Sequence, residues 1–528
     1  MSPLACFIIF LGLQNGCVPV AETSAIVHTS KTENLEDEVS LVQVKIAMQP
    51  TRHQKGAEDN SHALKEQKQS AREAYWPQPR GSPGHYSRTS YGLPQEVLKH
   101  GNLTAHLAFK WELPLFGLDT YVWGTLLDKD RNIYIIAMQG LYKVTPDGEA
   151  LWQREDIQGS MMGSLTGNSL CVMGQISALM TCVDIASGAT LWSRQVAEST
   201  GLEGDMVTSN NGVLIAGVGT VDWGWNGAGA PSERAIGLNA STGDEIWAYT
   251  PDCPLWNVMG LFPGEDTVNF MDSCGGVYKV GLYNGSEVWK RAPAPDSWTD
   301  GGATLGPDGS MYTCSDEPGS FKTLNEQGTM EGIKGRVRKF KQSTGEMVWE
   351  AKIENSCLNF PAVSADGKTL VLADGENVVD PPTGLATQGM SREAIDRFYL
   401  LQEQWLEEKR QLSMWGKENI NASIMGFDTQ TGKMKWRHKV EPWWGMAFAK
   451  DEERAYNWRV NNGSLALCGP PHWGGPTIDD NGNIYIGRSS GSLYIYNPED
   501  GSEIQFETND GHIMSGVIFA PGLMVVPS

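Results

Sequence analysis

A glycine turn followed four residues later by a tryptophan recurs six times along this sequence, as in DIASGATLW and KQSTGEMVW. The tryptophans are Trp152, Trp192, Trp247, Trp289, Trp349 and Trp436, and a degenerate seventh copy, NPEDGSEIQF, puts Phe506 in the tryptophan position. Successive copies are separated by 40 to 87 residues. A minimum spacing near 40 residues, with longer copies explained by insertions, is typical of the four-stranded blade of a β-propeller.

Alternating apolar runs joined by tight turns precede the tryptophan copies, as in GPTIDDNGNIYIG. We therefore divide each unit into strands A, B, C and D, with tight turns between A and B and between C and D. The tryptophan falls on outer strand D, where a large flat side chain covers the sheet of the neighbouring blade. The sequence therefore predicts an all-β propeller.

The two ends of the repeat region have complementary strand patterns. The chain ends in GHIMSGVIFAPGLMVVPS, which matches strands A and B alone, while LTAHLAFKWELPL matches a strand D whose Trp111 lacks strands A and B of its own. Pairing the N- and C-terminal strands would complete a further blade and remove exposed sheet edges. This predicts an eight-bladed propeller, with a seven-bladed ring as the alternative.

The charge balance limits the partners of this chain. It has 41 basic and 63 acidic residues, a net charge of −22 and a pI near 4.9. Such a chain has no spare positive charge to displace counterions from a nucleic acid or to bind an acidic membrane surface. Its sequence also contains no run of the roughly 18 apolar residues that a membrane-spanning helix needs. We expect no nucleic-acid partner and no membrane span.

The first hundred residues differ from the rest. Residues 3–13 form a short apolar run followed by small and polar residues, which predicts a signal peptide over residues 1–21, although no Lys or Arg precedes the run. Residues 22–100 are polar and mixed in charge, and we expect a disordered linker or pro-region there. One apolar run within them, VSLVQVKIAM, could form a strand or a small propeptide element. The propeller is assigned to residues 101–528.

Sequons and cysteines indicate passage through the secretory pathway. Five N-x-S/T sequons fall in predicted turns or loops, at Asn102, Asn239, Asn284, Asn421 and Asn462. Cys171 and Cys182 fall on strands B and C of one blade, and Cys253 and Cys274 flank an A–B hairpin, so each pair could form a disulfide. We expect a disulfide-containing glycoprotein that is secreted or resides in the secretory-pathway lumen.

All long insertions fall at one end of the predicted blades. They occupy B–C or D–A connections, at residues 218–234, 314–336, 375–423 and 441–468. The third contains SREAIDRFYLLQEQWLEEKRQL, whose apolar residues have helical spacing, so we expect one amphipathic helix over residues 391–412. Long loops on one face of a rigid scaffold usually carry binding or catalysis, and neutral insertion is the alternative.

Aromatic residues collect at the predicted mouth of the central channel on this face. Those that stand where strands A begin are Tyr121, Trp123, Trp256, Trp298, Phe360 and Trp473. Such a group suits a flat or sugar-like ligand. Filling of the channel by large side chains is the alternative interpretation.

The repeated motif resembles the PQQ-type repeat of the quinoprotein alcohol dehydrogenase-like superfamily, where PQQ stands for pyrroloquinoline quinone. The resemblance rests on the pattern Asx-x-x-Ser/Thr-Gly-x-x-x-Trp and covers about residues 103–528. It implies an eight-bladed propeller. Since the superfamily contains PQQ-dependent dehydrogenases and also scaffolds without catalytic activity, such as the bacterial outer-membrane assembly propeller, the resemblance leaves the function open.

The resemblance also implies candidate site residues. Glu203, Asn257 and Asp300 lie near the starts of strands A on three successive blades. In the PQQ-dependent dehydrogenases a Glu, an Asn and an Asp on successive blades hold calcium and supply the catalytic base. The resemblance therefore implies Glu203 and Asn257 as Ca²⁺ ligands, Asp300 as the base, and the four tryptophans as PQQ contacts. Those enzymes typically carry a disulfide between adjacent cysteines, and no two cysteines are adjacent here.

Two functions remain open from the sequence. The first is binding of a partner protein, or of a carbohydrate-like or small-molecule ligand, through the face that carries the insertions. The second is a PQQ- and calcium-dependent alcohol or sugar dehydrogenase. The missing cysteine pair favours the first function, and the alignment of Glu203, Asn257 and Asp300 favours the second.

Overall fold

The computed structural model describes residues 39–44, 74–81, 87–93, 98, 111–113, 122–137, 140–157, 159, 163–174, 178–198, 206–219, 232–262, 264–294, 297, 299, 301–318, 334–357, 359–376, 421–442, 473–507 and 516–527. Within these ranges the protein is all-β, with 34 strands, and helical structure is limited to a 3-10 turn at Pro79–Gly81 and to Leu98. A search of the same residues finds no apolar helix of membrane-spanning length. The predicted signal peptide and the predicted helix over residues 391–412 lie outside the described residues.

Four short strands precede the first blade: β1 (Val39–Val44), β2 (Ala74–Trp76), β3 (Arg88–Thr89) and β4 (Trp111–Leu113). Blade 1 contains β5 (Val122–Asp128), β6 (Ile133–Ala137), β7 (Gly140–Val144) and β8 (Ala150–Arg154). Blade 2 contains β9 (Ser164–Thr166), β10 (Ser169–Met173), β11 (Leu179–Asp184) and β12 (Thr190–Gln195). Blade 3 contains β13 (Met206–Thr208), β14 (Val213–Val218), β15 (Arg234–Asn239) and β16 (Glu245–Tyr249).

Blade 4 contains β17 (Leu255–Leu261), β18 (Thr267–Asp272), β19 (Val277–Gly281) and β20 (Glu287–Arg291). Blade 5 contains β21 (Thr304–Leu305), β22 (Met311–Asp316), β23 (Gly335–Phe340) and β24 (Met347–Ile353). Blade 6 contains β25 (Ala362–Val363), β26 (Thr369–Gly375), β27 (Ala422–Asp428) and β28 (Met434–Lys439). Blade 7 contains β29 (Thr477–Asp479), β30 (Ile484–Gly487), β31 (Ser492–Tyr496) and β32 (Glu503–Glu507). Two strands end the chain: β33 (Ile518–Ala520) and β34 (Leu523–Pro527).

The seven blades follow the predicted plan. In each of them four consecutive strands, A to D, pair in sequence order within one sheet. Every residue of β6, β7 and β14 is buried, because the sheets of the adjacent blades cover both faces of these inner strands. The outer strands β8 and β12 are largely exposed. The structure thus has the seven-bladed arrangement that the sequence analysis kept as its alternative.

The repeat tryptophan docks on the C–D turn of the next blade. Trp349 of blade 5 donates its Nε1–H to the carbonyl oxygen of Thr429 in blade 6 at 3.0 Å. Gly432 of that turn has φ +70°, and a Cβ atom there would lie 2.6 Å from the indole. The same docking occurs at Trp152, Trp192, Trp247 and Trp289. The predicted role of the tryptophan is confirmed, and the motif glycine is required by its positive φ and by the close indole.

The joint between blades 6 and 7 is built differently. Gly501, in the C–D turn of blade 7, has nothing within 4 Å of the position of an added Cβ. Trp436 instead packs against Tyr496, with ring centroids 5.4 Å apart, and His438 stacks on the same tyrosine ring at 4.2 Å. An aromatic stack therefore takes the place of the indole–glycine contact next to the degenerate seventh copy.

Both ends of the chain meet in an eighth sheet with the strand order β33-β34-β1-β4. Leu41, in β1, is paired with Pro527 of β34 on one side and with Trp111 of β4 on the other, and all pairs are antiparallel. The prediction that N- and C-terminal strands share one sheet is confirmed. The difference is that β1 stands between the strands that were expected to pair.

The eighth sheet contacts blades 1 and 7. Ile518 belongs to the hydrophobic cluster of blade 1. On the other side, the ring of Phe519 lies 4.8 Å from that of Tyr485 in blade 7, and Thr477 Oγ1 donates to the carbonyl oxygen of Val517 at 2.8 Å. These contacts support the eight-bladed count, which stays a prediction beside the seven consecutive blades.

The prediction of disorder over residues 22–100 is wrong for part of that segment. β1, β2 and β3 all lie in it and pair with β34, β5 and β29, respectively. Trp76 and Leu93 are buried. The prediction failed at β2 and β3 because strands of two or three residues are too short to show an apolar period, whereas β1 lies in the run VSLVQVKIAM, for which a strand was one expectation.

Candidate functional site

The two ends of the blades carry different connections. A–B and C–D turns lie at one end, which we call the plain face, and B–C and D–A connections lie at the other, which we call the elaborated face. The insertion at 218–234 joins β14 to β15, and the one at 375–423 joins β26 to β27. The insertions at 314–336 and 441–468 likewise lie between strands B and C and between strands D and A. The predicted location of all four on one face is confirmed.

Three buried aspartates lie beneath the elaborated face. Asp272, Asp316 and Asp374 are the last or next-to-last residues of strand B in blades 4, 5 and 6. Their exposed fractions are 1%, 0% and 0%. A buried carboxylate is stable only when hydrogen-bond donors or positive charges surround it. These side chains therefore mark a polar layer at the base of the insertions.

Two consecutive residues connect the last two of these carboxylates. Asn355 Nδ2 donates to Asp374 Oδ2 at 3.2 Å, and Ser356 Oγ donates to Asp316 Oδ1 at 2.6 Å. Both belong to the D–A connection between blades 5 and 6. Ser356 also pairs with Gly375 in an isolated antiparallel bridge. The connection thus joins the two blades through both side chains and backbone.

Arg437 supplies positive charge to Asp374. Its Nη2 donates to Asp374 Oδ2 at 3.1 Å and its Nε to Ser423 Oγ at 2.7 Å, while Ser423 donates to Asp374 Oδ1 at 2.7 Å. Burial raises the pKa of the Asp374 carboxyl, and the Ser423 hydrogen bond and the Arg437 charge act in the opposite direction. Because Arg437 also pairs with Glu354, it connects the buried carboxylate to the surface.

Asp272 is held by the B–C turn of blade 4. It accepts two backbone amides of the turn at 3.0 and 2.6 Å and the hydroxyl of Tyr278 at 2.7 Å. Burial raises the pKa of Asp272 to about 7, against the effect of these hydrogen bonds. Arg338 of blade 5 donates to the carbonyl oxygen of Gly275 in the same turn at 2.7 Å, and burial lowers the pKa of its guanidinium to about 9. The turn therefore holds a carboxyl group that titrates near neutral pH.

Two disulfides fix the connections that approach these carboxylates. One joins Cys314 of β22 to Cys357 in the connection between blades 5 and 6. The other joins Cys253, just before β17, to Cys274, two residues after Asp272. Possible ligand atoms of Cys253, Cys274 and Asp272 lie within 4.8 Å of one another. Because the disulfide uses both thiols, this group is not a metal site.

The sequence predicted two of the three disulfides found among the described residues. Cys171–Cys182 links facing residues of β10 and β11, and Cys253–Cys274 spans an A–B hairpin, so both predictions are confirmed. The third link was not predicted, because 43 residues and a long insertion separate its cysteines.

The N-terminal segment lines the inside of the ring. We call residues 74–81 and 87–93 the axial segment. Its strand β2 pairs with β5, strand A of blade 1. Gln78, which is 2% exposed, accepts a hydrogen bond from Ser164 Oγ at 2.8 Å and donates to the carbonyl oxygen of Thr208 at 3.1 Å. These partners belong to strands A of blades 2 and 3, so one side chain connects the axial segment to both.

The axial segment continues to blades 6 and 7. The Arg80 guanidinium lies over the ring of Phe360, 3.2 Å from its centroid. β3 pairs in parallel with β29, strand A of blade 7, and the backbone N–H of Leu93 donates to the Tyr485 hydroxyl at 2.9 Å. The inside of the ring is therefore occupied in part by the chain's own N-terminal residues, which the sequence analysis did not predict.

Among the predicted site residues, Trp473 is the one whose side chain lies within the described part of the structure. It is 4% exposed, its Nε1–H donates to the carbonyl oxygen of Asp374 at 3.1 Å, and its ring lies 5.5 Å from that of Tyr494. It packs between blades 6 and 7. The backbones of Trp123, in β5, and of Trp256 and Asn257, in β17, are described without their side chains, and Glu203, Trp298 and Asp300 lie outside the described residues. The catalytic, calcium and PQQ roles stay predictions.

The three buried aspartates were not predicted from the sequence. Each ends an apolar run, in TVNFMD, MYTCSD and TLVLADG. An aspartate after a strand is commonly assigned to the following turn, where its side chain bonds to nearby backbone. The signal that could have found them is the recurrence of this ending on strand B in three successive blades.

Comparisons with known proteins agree with this architecture. A family model described as outer membrane protein assembly factor BamB matches residues 137–300. A solved structure of a europium-containing methanol dehydrogenase aligns with a TM-score of 0.52 and 11% identity, over 86% of this chain and 89% of that chain. The fold is that of a PQQ-type repeat propeller. The resemblance based on the tryptophan motif is thereby confirmed.

Other solved structures are similar to this PQQ-repeat propeller. BamB from Moraxella catarrhalis shares 14% identity over 75% of this chain and 90% of that chain, with a TM-score of 0.45. A quinohemoprotein alcohol dehydrogenase from Comamonas testosteroni shares 10% identity over 75% of this chain and 68% of that chain, with a TM-score of 0.48. Comparison with curated proteins gives no match. At 11% identity, the similarity to the methanol dehydrogenase establishes the fold alone.

Proposed function

We propose that this propeller is a binding scaffold that takes up a partner protein through its elaborated face. The observation that carries the proposal is the axial segment. Because residues of the chain itself line strands A of blades 1, 2, 3 and 7, much of the inner surface of the ring is already in use. The surface left for recognition is then the set of insertions on the elaborated face.

The polar layer under the insertions supports the same function. Binding surfaces are most specific when their loops rise from elements whose side chains are held in place. The contacts of Asp316 and Asp374 join blades 5 and 6, and the disulfide Cys314–Cys357 fixes the connection between them. The insertions at 314–336 and 375–423 start from this base.

Compartment and partner class follow from two further observations. The described residues contain three disulfides, which are typical of proteins in an oxidising compartment, so we place the protein in the secretory lumen or outside the cell. The matched family model is described as an assembly factor, which favours a protein partner over a carbohydrate-like or small-molecule ligand.

A PQQ- and calcium-dependent dehydrogenase is the second candidate. The alignment of Glu203, Asn257 and Asp300 and the fold shared with a methanol dehydrogenase favour it. The described residues do not support it: Trp473, proposed as a PQQ contact, is buried between two blades and donates its Nε1–H to the backbone carbonyl oxygen of Asp374. The absence of adjacent cysteines in the sequence points the same way.

Site-specific photo-crosslinking tests which face binds. Glu441, at the start of an insertion on the elaborated face, and Gln430, in the C–D turn of the same blade, are both exposed. Each is replaced in turn by p-benzoylphenylalanine in the full chain, and adducts formed in the producing cells are identified by mass spectrometry.

We expect one discrete protein adduct from position 441 and none from position 430. The purified adduct partner should also bind the unmodified propeller, as measured by titration. Adducts from position 430 alone, or the same adducts from both positions, would contradict the proposal.

A further inference from the structure

Two sequons lie in C–D turns of neighbouring blades. Asn239 ends β15 and begins the turn to β16 in blade 3, and Asn284 lies in the turn between β19 and β20 of blade 4. Both turns belong to the plain face. Asn284 is exposed and Asn239 is half-exposed.

The side-chain amides of both asparagines have a fixed orientation. Asn284 Oδ1 accepts the backbone N–H of Ser286 at 3.0 Å and its hydroxyl at 2.8 Å. Asn239 Oδ1 accepts the corresponding groups of Ser241 at 2.9 and 2.6 Å. Within the described parts of the chain, neither Nδ2 has a hydrogen-bond partner. Since each Oδ1 points into its turn, each Nδ2 points away from it.

Packing against the tryptophan of the preceding blade holds the turn of Asn284 in place. Gly285 has φ +62° and lies under the indole of Trp247, and the Nε1–H of Trp247 donates to the carbonyl oxygen of Leu282 at 2.6 Å. Tyr283, beside Asn284, is 53% exposed although it is a large aromatic side chain. A bulky group on Asn284 would cover this tyrosine.

Asn421 has a different geometry. Its Nδ2 donates to Glu376 Oε2 at 3.2 Å, and the hydroxyl of its sequon serine, Ser423, is buried and bonded to Asp374. It also lies at the end of the 375–423 insertion, on the elaborated face. A group attached there would replace one hydrogen of the nitrogen that donates to Glu376 and would crowd the proposed binding surface.

We propose that Asn239 and Asn284 carry N-linked oligosaccharides, which cover this part of the plain face and leave the elaborated face for partners. The proposal rests on the secretory location proposed above. In the transfer step, Asn Nδ2 attacks the anomeric carbon of an oligosaccharide linked to a lipid diphosphate. A C–N bond forms, the C–O bond to the diphosphate breaks, the lipid diphosphate leaves, and Nδ2 loses one proton.

Mass spectrometry of the secreted full chain tests the two sites. A leader from another secreted protein replaces residues 1–21, so that entry into the lumen does not depend on them. An amidase that releases N-glycans in ¹⁸O-water converts each glycosylated asparagine to labelled aspartate. We expect labelled aspartate at positions 239 and 284.

Two variants give a matched control. Asn239→Asp and Asn284→Asp each remove an acceptor nitrogen but keep the oxygen that accepts within the turn. Asp184 and Asp428 already hold the position of Asn239 in blades 2 and 6 and accept the same type of hydrogen bond. Each variant should lose the mass of one glycan. Hydroxyl-radical labelling of Tyr283 should increase several-fold in Asn284→Asp if the glycan covers that ring.

The outcomes separate this inference from the proposed function. An unglycosylated Asn239 or Asn284, in chains recovered from the lumen, would overturn the site assignment. Equal labelling of Tyr283 with and without the glycan would overturn the shielding. A parallel expression with residues 1–21 retained tests the location: failure to enter the lumen would contradict the secretory placement, while the first experiment would still decide the sites.

Discussion

Single glycines set how closely neighbouring blades approach. Gly345 has φ +65°, and a Cβ atom there would lie 2.4 Å from the indole of Trp289. Gly501 has φ +71°, with nothing within 4 Å of the same position. The two residues have the same left-handed backbone conformation, but only Gly345 has an indole packed against it.

We therefore expect Gly345→Ala to destabilise the protein more than Gly501→Ala. Each variant loses roughly 1–2 kcal/mol because alanine is strained in the left-handed region. Gly345→Ala loses about a further 1–3 kcal/mol because its methyl group displaces the indole. Urea unfolding midpoints of both variants and of the wild type measure the difference, and equal midpoints would contradict the docking.

Asp272 should make stability fall as the pH rises. Its pKa in the folded protein is about 7, raised by burial, whereas an aspartate in an unfolded chain has a pKa of about 3.9. Between these values the folded state holds a proton that the unfolded state has released. The free energy of unfolding therefore decreases from about pH 4 to pH 7, by about 1.4 kcal/mol per unit of pKa difference, and stays low above pH 7.

Asp272→Asn removes this titration and so tests it. Urea midpoints at pH 4.5 and 7.5 should fall less with rising pH in Asp272→Asn than in the wild type. Asp428→Asn is the control, since the Thr431 hydrogen bonds lower the pKa of half-buried Asp428 and keep it ionised over the whole window. Parallel pH profiles of the wild type and Asp272→Asn would show that the carboxyl does not titrate there.

Among the structural elements, the connection between blades 5 and 6 depends most on its disulfide. The cysteines of Cys314–Cys357 are 43 residues apart in the sequence, and those of Cys171–Cys182 are 11 residues apart. On chain entropy alone, the first link stabilises by roughly 4 kcal/mol and the second by roughly 3 kcal/mol. We expect the pair Cys314→Ala/Cys357→Ala to lower the urea midpoint more than Cys171→Ala/Cys182→Ala.

Hydrogen exchange gives a local readout of the same comparison. Amides of residues 354–357 should exchange faster in Cys314→Ala/Cys357→Ala, because the side chains of Asn355 and Ser356 would lose their fixed positions against Asp374 and Asp316. They should be unchanged in the other pair. Unchanged exchange in both pairs would mean that the hydrogen bonds hold the connection without the disulfide.

At this scale the sequence predicts regular elements well and irregular ones poorly. The blades were predictable because all seven carry the same glycine turn and six of them carry the tryptophan that packs on the turn of a neighbouring blade. β2 and β3 were not predictable, since their stability comes from pairing with β5 and β29 across the ring rather than from their own residues. The polar layer around Asp374 was missed because its partners, Asn355 and Arg437, come from distant sequence positions.

For the whole molecule, closure of the ring depends on β1, a strand that is distant in sequence from the other strands of its sheet. β1 lies between β34 and β4, so its loss would expose both as sheet edges. We expect a chain that begins at residue 45 to aggregate, while one that begins at residue 39 stays monomeric. Light scattering after size exclusion distinguishes the two, and equal monomeric behaviour would contradict closure through β1.

The central claim is that this propeller is a binding scaffold whose inner surface is partly occupied by its own axial segment, rather than a quinoprotein enzyme. Titration of the full chain with PQQ in the presence of Ca²⁺, followed by visible absorption and by dye-linked oxidation of alcohols and sugars, tests it most directly. We predict no saturable PQQ binding and no dye reduction above the protein-free control. Calcium-dependent PQQ binding, with dye reduction that Asp300→Asn abolishes, would contradict the account.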